Sequence, residues 1–300
     1  MTNNLHPVLN DQLPVAVEKI VSEYRGKQWT MKEFRDMNEF SSHPAAILSD
    51  GSYSVFVKLS TAANGLEQFE RELAGLRLLS ERASVLIPTP IGMLPVEGGV
   101  MMILEGVQAV DRTPKQWRQI GRALAQIHRE KGSRFGLDAH NYFGPLYQDN
   151  RFMDDWPTFY AERRLWPRLV GAINSGNLPT DVIKLVEKLI MRLPDLCGPD
   201  VTPTLLHGDA QQNNFISTAA GAVVVDPAVY YGHPEMDLGY IDYFQPVSDD
   251  VLNAYRDELP IDPGFRERRE LWRVYGYLAI AEVGGMPYLP QLTSALRKYL

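Results

Sequence analysis

Two polar clusters, each directly after a short apolar run, limit what this chain can fold into more than any other feature. The first lies in LLHGDAQQNNF at residues 205–215, and the second lies in VVVDPAVYYGH at residues 223–233. Asp209 precedes Asn214 by five positions, and Asp226 follows Asp209 by seventeen. Each apolar run is typical of a strand, so we expect the two strand ends to deliver these side chains into one cleft.

The residue types at these positions suit phosphoryl transfer. That reaction needs one carboxylate to orient or deprotonate the attacking hydroxyl, and a carboxylate and an amide oxygen to hold magnesium. The alternative is that both loops use Asp and Asn only to cap turns. The combination of Asp209 with a correctly spaced Asn214 and a later Asp226 favours phosphoryl transfer.

A charged residue inside an apolar strand pattern supplies the second half of such a site. Lys58 lies in VFVKLS, where a buried ammonium needs a partner, although a strand residue can also point outward into solvent. The next segment, EQFERELAGLRLLSER, has the spacing of an amphipathic helix. Its Glu72 is the favoured partner, with Glu67 and Glu70 as further candidates. A Lys58–Glu72 ion pair would aim the ammonium at nucleotide phosphates.

Periodicity divides the chain into a β-rich first part and a mainly helical remainder. Strands are expected at 45–48, 53–59, 91–94, 100–104, 204–206 and 222–225. Helices are expected at 15–24, 67–82, 114–131 and 156–169, the last interrupted or kinked at Pro167. A further helix is expected to be capped by Thr180, and helical segments are expected within 251–277. The two parts meet near residues 105–109, which predicts an N-terminal domain at 1–106 and a C-terminal domain at 107–300.

Side chains of the segment 154–164 are expected to hold the second part together. Trp156 and Phe159 are three residues apart, a spacing typical of core aromatics on a helix. The arginines that follow them are expected to pair with nearby acidic residues, the candidates being Asp154, Asp155 and Glu235.

Charge and composition narrow the class of partner. The 30 basic and 37 acidic residues give a net charge of −7, which opposes a nucleic-acid partner. No apolar run approaches the roughly 20 residues that span a bilayer, and the N-terminus lacks the pattern of a secretory signal. With Cys197 as the only cysteine, no intramolecular disulfide is possible, and we expect a cytoplasmic protein. Neither a P-loop nor a G-x-G-x-x-G motif occurs.

The chain resembles the fructosamine kinase (ketosamine 3-kinase) family, within the protein-kinase-like group that includes aminoglycoside and choline kinases. The segments that carry the resemblance are FVK with FERELAGL, IGRALAQIH, FGLDAHNYFGPLYQDNRFMDDWPTFYAERRL, LLHGDAQQNN, VVVDPAVYYGHPEMDL and LPIDPGFRERRELW. The resemblance implies an α+β, bilobal, protein-kinase-like fold with a small β-rich N-terminal lobe and a larger, mainly helical C-terminal lobe. It also implies ATP-dependent phosphorylation of a ketosamine at its sugar 3-hydroxyl, after which the unstable product frees the amine.

Carried over by position, the resemblance assigns roles to the clusters above. Asp209 is implied as the catalytic base, and His207 as a brace for its loop. The remaining assignments are Asn214 and Asp226 as magnesium ligands, Lys58 and Glu72 as the pair that positions ATP, and the backbone from Glu105 to Val107 as the adenine contact.

The acceptor side of the site departs from the family pattern. Tyr231, His233 and Gln211 are expected to face the substrate. The family usually carries Leu-Trp after the catalytic Asp, whereas this chain has Ala210 and Gln211, so an aromatic surface for stacking is absent there. The glycine-rich phosphate loop is also missing, and the small residues Ser41 and Ser42 are expected to replace it.

Three other readings of the chain stay open at this point. The first is a kinase for another hydroxylated amine, such as an aminoglycoside or a choline-like compound. The second is a nucleotide-binding pseudokinase. The third is a metal-dependent hydrolase built on His207, Asp209 and His233. Intact Lys, base and metal-ligand positions disfavour the pseudokinase, and the spacing of the two histidines disfavours the hydrolase. The oligomeric state is left open.

Overall fold

The first lobe is built on one antiparallel sheet. The computed structural model of the chain describes residues 6–9, 12–40 and 43–300. The strands of the sheet are β1 (Glu33–Asp36), β2 (Ala45–Ser49), β3 (Ser54–Ser60), β4 (Pro90–Val96) and β5 (Gly99–Glu105). They pair in the order β1–β2–β3–β5–β4, so β3 lies at the centre with neighbours on both sides.

Each face of this sheet is covered by one helix, α1 (Leu13–Arg25) or α2 (Gly65–Ala83). Side chains alternate between the two faces of a strand. Val55 and Val57 of β3 pack in the cluster that contains α1, whereas Phe56 packs in the cluster that contains α2. Lys58 has the parity of Phe56 and therefore points toward α2.

The second lobe begins after β5 and is mainly helical. Its helices are α3 (Pro114–Arg129), α4 (Trp156–Phe159), α5 (Trp166–Asn174), α6 (Thr180–Met191), α7 (Leu193–Leu196), α8 (Glu235–Tyr240), α9 (Asp250–Arg256), α10 (Phe265–Gly284) and α11 (Leu289–Tyr299). Three short antiparallel strand pairs lie among them: β6 (Asn141–Phe143) with β7 (Leu146–Gln148), β8 (Thr204–Leu206) with β11 (Tyr230–Gly232), and β9 (Phe215–Ser217) with β10 (Ala222–Val224). This arrangement confirms the α+β bilobal fold. None of the helices in the described ranges is long and apolar enough to cross a membrane.

The secondary structure also corrects several predictions. The six predicted strands are present, but β1, β6, β7, β9 and β11 were not predicted, since they are short and lack clear alternation. A π-helical turn at Tyr160–Leu165 precedes Pro167, which occupies the first turn of α5 rather than kinking a continuous helix. Thr180 is the first residue of α6, with Pro179 in the capping position.

Aromatic packing around the π-helical turn organises the core of the second lobe. Trp156 and Phe159 are buried, as predicted from their spacing. The fully buried guanidinium of Arg164 lies 4.0 Å from the ring centre of Tyr230 and donates to backbone carbonyls. Arg163 lies 3.7 Å from the carboxylate of Asp149, so the prediction that Asp154, Asp155 or Glu235 pairs with these arginines is wrong.

Glu235 instead belongs to a different buried ion pair. Its Oε2 accepts from Arg268 Nε at 2.9 Å and from Trp272 Nε1 at 2.8 Å, and its Oε1 accepts from Arg268 Nη2 at 2.5 Å. The side chain is 3% exposed. These contacts tie α8 to α10 at the centre of the second lobe.

We expect Glu235→Ala to destabilise the fold by about 1–3 kcal/mol, because it leaves the buried Trp272 Nε1 donor without an acceptor and Arg268 with Asp262 as its remaining carboxylate partner. Urea unfolding followed by circular dichroism measures this change. Glu267→Ala, an exposed glutamate on the same helix as Arg268, is the control and should change stability by less than about 0.5 kcal/mol. Equal stabilities for the two variants would contradict the argument.

Candidate active site

The loops that follow β8 and β10 are joined directly by backbone hydrogen bonds. Ala228 donates to the carbonyl of His207 at 2.8 Å, and Val225 donates to the carbonyl of Asn214 at 3.0 Å. These bonds hold the two polar clusters side by side. Asp226 adopts a left-handed backbone with φ of 51°, which Asp tolerates better than most residues.

Gly208 allows this close approach. Its φ is +82°, and a Cβ at this position would lie 2.0 Å from the carbonyl oxygen of Ala228. Both the left-handed backbone and the short separation require glycine. The packing of one loop on the other therefore requires the glycine at the centre of the HGD sequence.

A buried carboxylate behind the loop fixes its backbone. Asp237 of α8 accepts from the N–H of His207 at 2.7 Å and from the N–H of Gly208 at 3.0 Å. His128 of α3 lies 3.1 Å from the same carboxylate through Nε2, and its Nδ1 lies 2.8 Å from Tyr255 Oη. Asp237 is 1% exposed and His128 is fully buried. The loop that carries Asp209 thus rests on a fixed network of charge-assisted hydrogen bonds.

His207 uses both of its ring nitrogens inside the loop. Nδ1 accepts from the N–H of Asp209 at 3.1 Å, which leaves Nε2 to donate to the carbonyl of Val225 at 3.0 Å. Burial lowers the pKa of His207, consistent with a neutral ring. This geometry suits the predicted bracing role and leaves no nitrogen for the zinc site of the hydrolase alternative.

Asp209 and Asn214 meet at the mouth of the loop. Asn214 Nδ2 donates to Asp209 Oδ2 at 3.1 Å and to the Asp209 carbonyl at 2.8 Å. Burial and the nearby carboxylate of Asp226 raise the pKa of Asp209 to about 7. A carboxylate so tuned is a competent proton acceptor near neutral pH.

Lys58 joins the two lobes through paired carboxylates. Its Nζ lies 3.0 Å from Glu72 Oε2 and 3.0 Å from Asp226 Oδ1, and Lys58 is 3% exposed. The predicted Lys58–Glu72 ion pair is therefore present. Burial raises the pKa of Glu72, and the Lys58 ammonium acts in the opposite direction. Of the other candidates for this pair, Glu67 accepts instead from Tyr142 Oη at 3.1 Å.

Two cavities meet at these residues. The polar cavity has a volume of about 370 Å³ and contains Asp209, Gln211 and Lys58 in its wall. The apolar cavity has a volume of about 290 Å³ and lies between the sheet and the segment after β5. Both walls include Glu72, Asn213, Asn214 and Asp226. A ligand in the apolar cavity can therefore reach Asp226 from one side while a second ligand reaches Asp209 from the other.

The backbone that was predicted to contact adenine lies at the apolar cavity. Glu105 and Val107 line it, together with the apolar side chains Phe56, Leu76, Leu104 and Ile216. The N–H of Glu105 donates to Thr89 and that of Gly106 donates to Ser54. Among the described residues no acceptor takes the N–H of Val107, so this donor is available to a flat heterocycle.

The structure does not bring all of the predicted substrate residues to the cleft. Gln211 lines the polar cavity, but Tyr231 and His233 are absent from its wall. Tyr231 packs against Gly132, and the His233 ring lies 4.9 Å from that of Trp272 in the aromatic core. Burial lowers the pKa of His233 to about 3. The expectation that Tyr231 and His233 face substrate is thus at odds with their packing.

Two residues of the site were not predicted from the sequence, and two predicted residues lie outside the part of the chain that the structure describes. Ser41 and Ser42 fall outside the described residues. Asp237 was not singled out, although a carboxylate in the PEMDL segment directly after the second cluster was the available signal. Phe244, which lines the polar cavity, carries no motif and is brought there only by the fold.

Kinase-like phosphotransferases share this two-lobed plan, with a strand lysine held by a helix glutamate above a loop that presents Asp and Asn. The present cleft places the chain in that class. More narrowly, the chain belongs to the fructosamine kinase family, whose model matches residues 14–300.

Individual relatives agree with this assignment. The chain is 30% identical over 288 residues to a protein of Synechocystis sp. named as a probable ketoamine kinase, covering 95% of this chain and 96% of the relative. It is 29% identical over 250 residues to the ketosamine-3-kinase of Mus musculus, covering 75% and 81%. A crystal structure assigned to the fructosamine-3-kinases, from Thermobifida fusca, superimposes with a TM-score of 0.81 at 30% identity, covering 95% and 98%.

The support of the Asp209 loop can be tested at Asp237. We expect Asp237→Asn to lower kcat by about 10- to 100-fold, because the amide turns a donor toward backbone N–H groups and the loop shifts, whereas KM for the nucleotide changes little. Steady-state kinetics with either substrate varied separates these effects. Asp200→Asn, an exposed residue before β8, is the control. A kcat equal to that of the control would refute the positioning role.

Proposed function

We propose that this protein is an ATP-dependent kinase that phosphorylates the sugar 3-hydroxyl of a ketosamine. The observation that carries the proposal is the meeting of an apolar and a polar cavity at Asn214 and Asp226, with Asp209 on the polar side. Two substrates that exchange a phosphoryl group need such an arrangement. The family and the names of the relatives supply the substrate class.

The donors at the junction fit magnesium. The amide nitrogen of Asn214 is committed to Asp209, so its Oδ1, which lies 3.5 Å from Gln211 Nε2, is the candidate metal ligand. Asp226 pairs with Lys58 through Oδ1, which makes Oδ2 the second candidate ligand. Mg²⁺ is held in such sites by one or two protein oxygens together with phosphates and waters. When bound, the ion neutralises charge on the phosphates.

The chain's own residues then perform the transfer by positioning. Lys58, oriented by Glu72, contacts the phosphates of ATP, while the adenine stacks in the apolar cavity and accepts a hydrogen bond from the N–H of Val107. Asp209 accepts the proton of the sugar hydroxyl as that oxygen bonds to the γ-phosphorus and the bond to the β-phosphate oxygen breaks. Since the transition state is loose, alignment and charge neutralisation contribute more than strong base catalysis.

The polar cavity suits a glycated amine. Its wall contains the four carboxylates of Glu39, Glu72, Asp209 and Asp226 against the side chains of Lys58 and His43, so it favours a cationic nitrogen near the reacting hydroxyl. Phosphorylation at the 3-position gives an unstable product that frees the amine, so the activity amounts to deglycation. In this proposal residues 1–106 form the nucleotide-binding lobe and residues 107–300 the catalytic and acceptor-binding lobe.

The test is ATP consumption with fructoselysine and ribuloselysine, beside kanamycin and choline as other hydroxylated amines. We expect ketosamine-dependent turnover that falls by about 10²- to 10⁴-fold in Asp209→Asn, because the proton acceptor is removed. Turnover with kanamycin or choline alone would show that the acceptor is another amine, and the assignment as a kinase would stand. Normal turnover in Asp209→Asn would show that the base is misassigned.

A second prediction concerns the nucleotide side. We expect Asp226→Ala to abolish magnesium-dependent binding of a fluorescent ATP analogue, because the variant removes both a metal ligand and a counter-charge of Lys58. Asp195→Ala, an exposed aspartate after α6, should bind as the wild type does. Binding that is unchanged in Asp226→Ala, or that never depends on magnesium, would contradict the assigned metal site.

A further inference from the structure

An exposed aromatic ring forms part of the wall of the polar cavity. Phe244 is 45% exposed and follows α8 on the loop at 241–249. Its ring lies 4.8 Å from that of Tyr243, edge to face, and 6.2 Å from that of Tyr288. These contacts hold the ring in place while a large part of its surface stays uncovered, and an aromatic face of this kind binds C–H groups of a sugar or an alkyl chain.

A hydrogen-bond acceptor without a partner lies in the same wall. Gln211 Oε1 is buried and, within the described residues, receives no hydrogen bond. The amide nitrogen of Gln211 makes only a long contact of 3.5 Å with Asn214 Oδ1. A buried acceptor that stays unpaired costs free energy, which a hydroxyl or ammonium of a ligand would recover.

The residues that follow Gln211 and Phe244 in their loops form a hydrogen bond with each other. Gln212, adjacent to Gln211, donates through Nε2 to the side chain of Gln245, adjacent to Phe244, at 3.1 Å. Arg112 fixes the orientation of that amide by donating to Gln212 Oε1 at 2.7 Å and to its carbonyl at 2.8 Å. Gln212 is 3% exposed. The spacing between Phe244 and Gln211 is therefore set by a fixed bond rather than by two independent loops.

We propose that Phe244 and Gln211 together determine which acceptor this kinase takes. The pair selects a substrate that presents a C–H face to the Phe244 ring and a hydroxyl or ammonium donor to Gln211 Oε1, in addition to the hydroxyl that faces Asp209. This inference rests on the proposed function for the acceptor hydroxyl at Asp209 and for the choice of ketosamines as the first acceptors to test, whereas the two side chains line the cavity whatever amine enters it.

The experiment measures KM and kcat for each acceptor, and KM for ATP, in Phe244→Ala, Phe244→Leu and Gln211→Leu. We expect Phe244→Ala and Gln211→Leu each to raise KM for the acceptor by about 3- to 10-fold, with KM for ATP unchanged. Phe244→Leu should recover part of the loss because it restores apolar area. The controls are Phe152→Ala, a ring of similar exposure (40%) outside both cavities, and Gln291→Leu on the surface of α11.

The outcomes separate the two proposals. If the protein turns over ketosamines but Phe244→Ala and Gln211→Leu have the same acceptor KM as the controls, this inference is overturned and the proposed function stands. Turnover confined to kanamycin or choline, with the acceptor KM raised in both variants, would overturn the proposal that the substrate is a ketosamine. It would support the role of Phe244 and Gln211 in acceptor selection. A parallel rise in KM for ATP would show a general distortion of the cleft and overturn the inference. Wild-type protein inactive with every acceptor would overturn both.

Discussion

The ion pairs of Lys58 are the interaction on which the site depends. One buried ammonium on the central strand of the first lobe lies 3.0 Å from a helix carboxylate and 3.0 Å from a carboxylate of the second lobe. Because Lys58 is 3% exposed, leaving its ammonium without a carboxylate partner would be strongly destabilising. Two consecutive elements of the first lobe and a segment 168 residues from Lys58 are thereby brought to one point, where the two cavities join.

The rest of the site is arranged by groups that never face a ligand. Asp237 and His128 support the loop of Asp209 from behind, and Gly208 lets that loop lie against the segment after Asp226. Reactive side chains are thus placed by backbone contacts made elsewhere, as in other sites where geometry matters more than strong acid–base chemistry. The backbone of the loop is held by hydrogen bonds to a carboxylate that is itself buried.

Much of this could be predicted from the sequence, and the limits have physical causes. Strands with strong apolar runs and the helix bearing Glu72 follow from periodicity, and the parity of β3 accounts for the direction of Lys58. The short strands β6, β7, β9 and β11 were missed, because three residues carry no period and form only through tertiary pairing. Tyr231 and His233 follow Asp226 closely in the chain, yet this proximity did not reveal that Tyr231 packs against Gly132 and that His233 lies in the aromatic core beside Trp272. Phe244 comes to the cavity through the packing of distant helices, which no local pattern encodes.

Helix α2 is bound to both lobes, and this has a consequence for motion. It covers the sheet, yet its Glu67 accepts from Tyr142 of β6, and a Cβ on its Gly75 would lie 3.3 Å from Pro227 and from Val229. If the sheet swings away from the helical lobe, α2 has to lose contact with one of them. If α2 stays with the helical lobe, Glu72 separates from Lys58. If α2 stays with the sheet, it loses its contact with the segment after Asp226. Because Lys58 lies in the sheet and Asp226 in the helical lobe, either separation breaks at least one contact of this charge cluster.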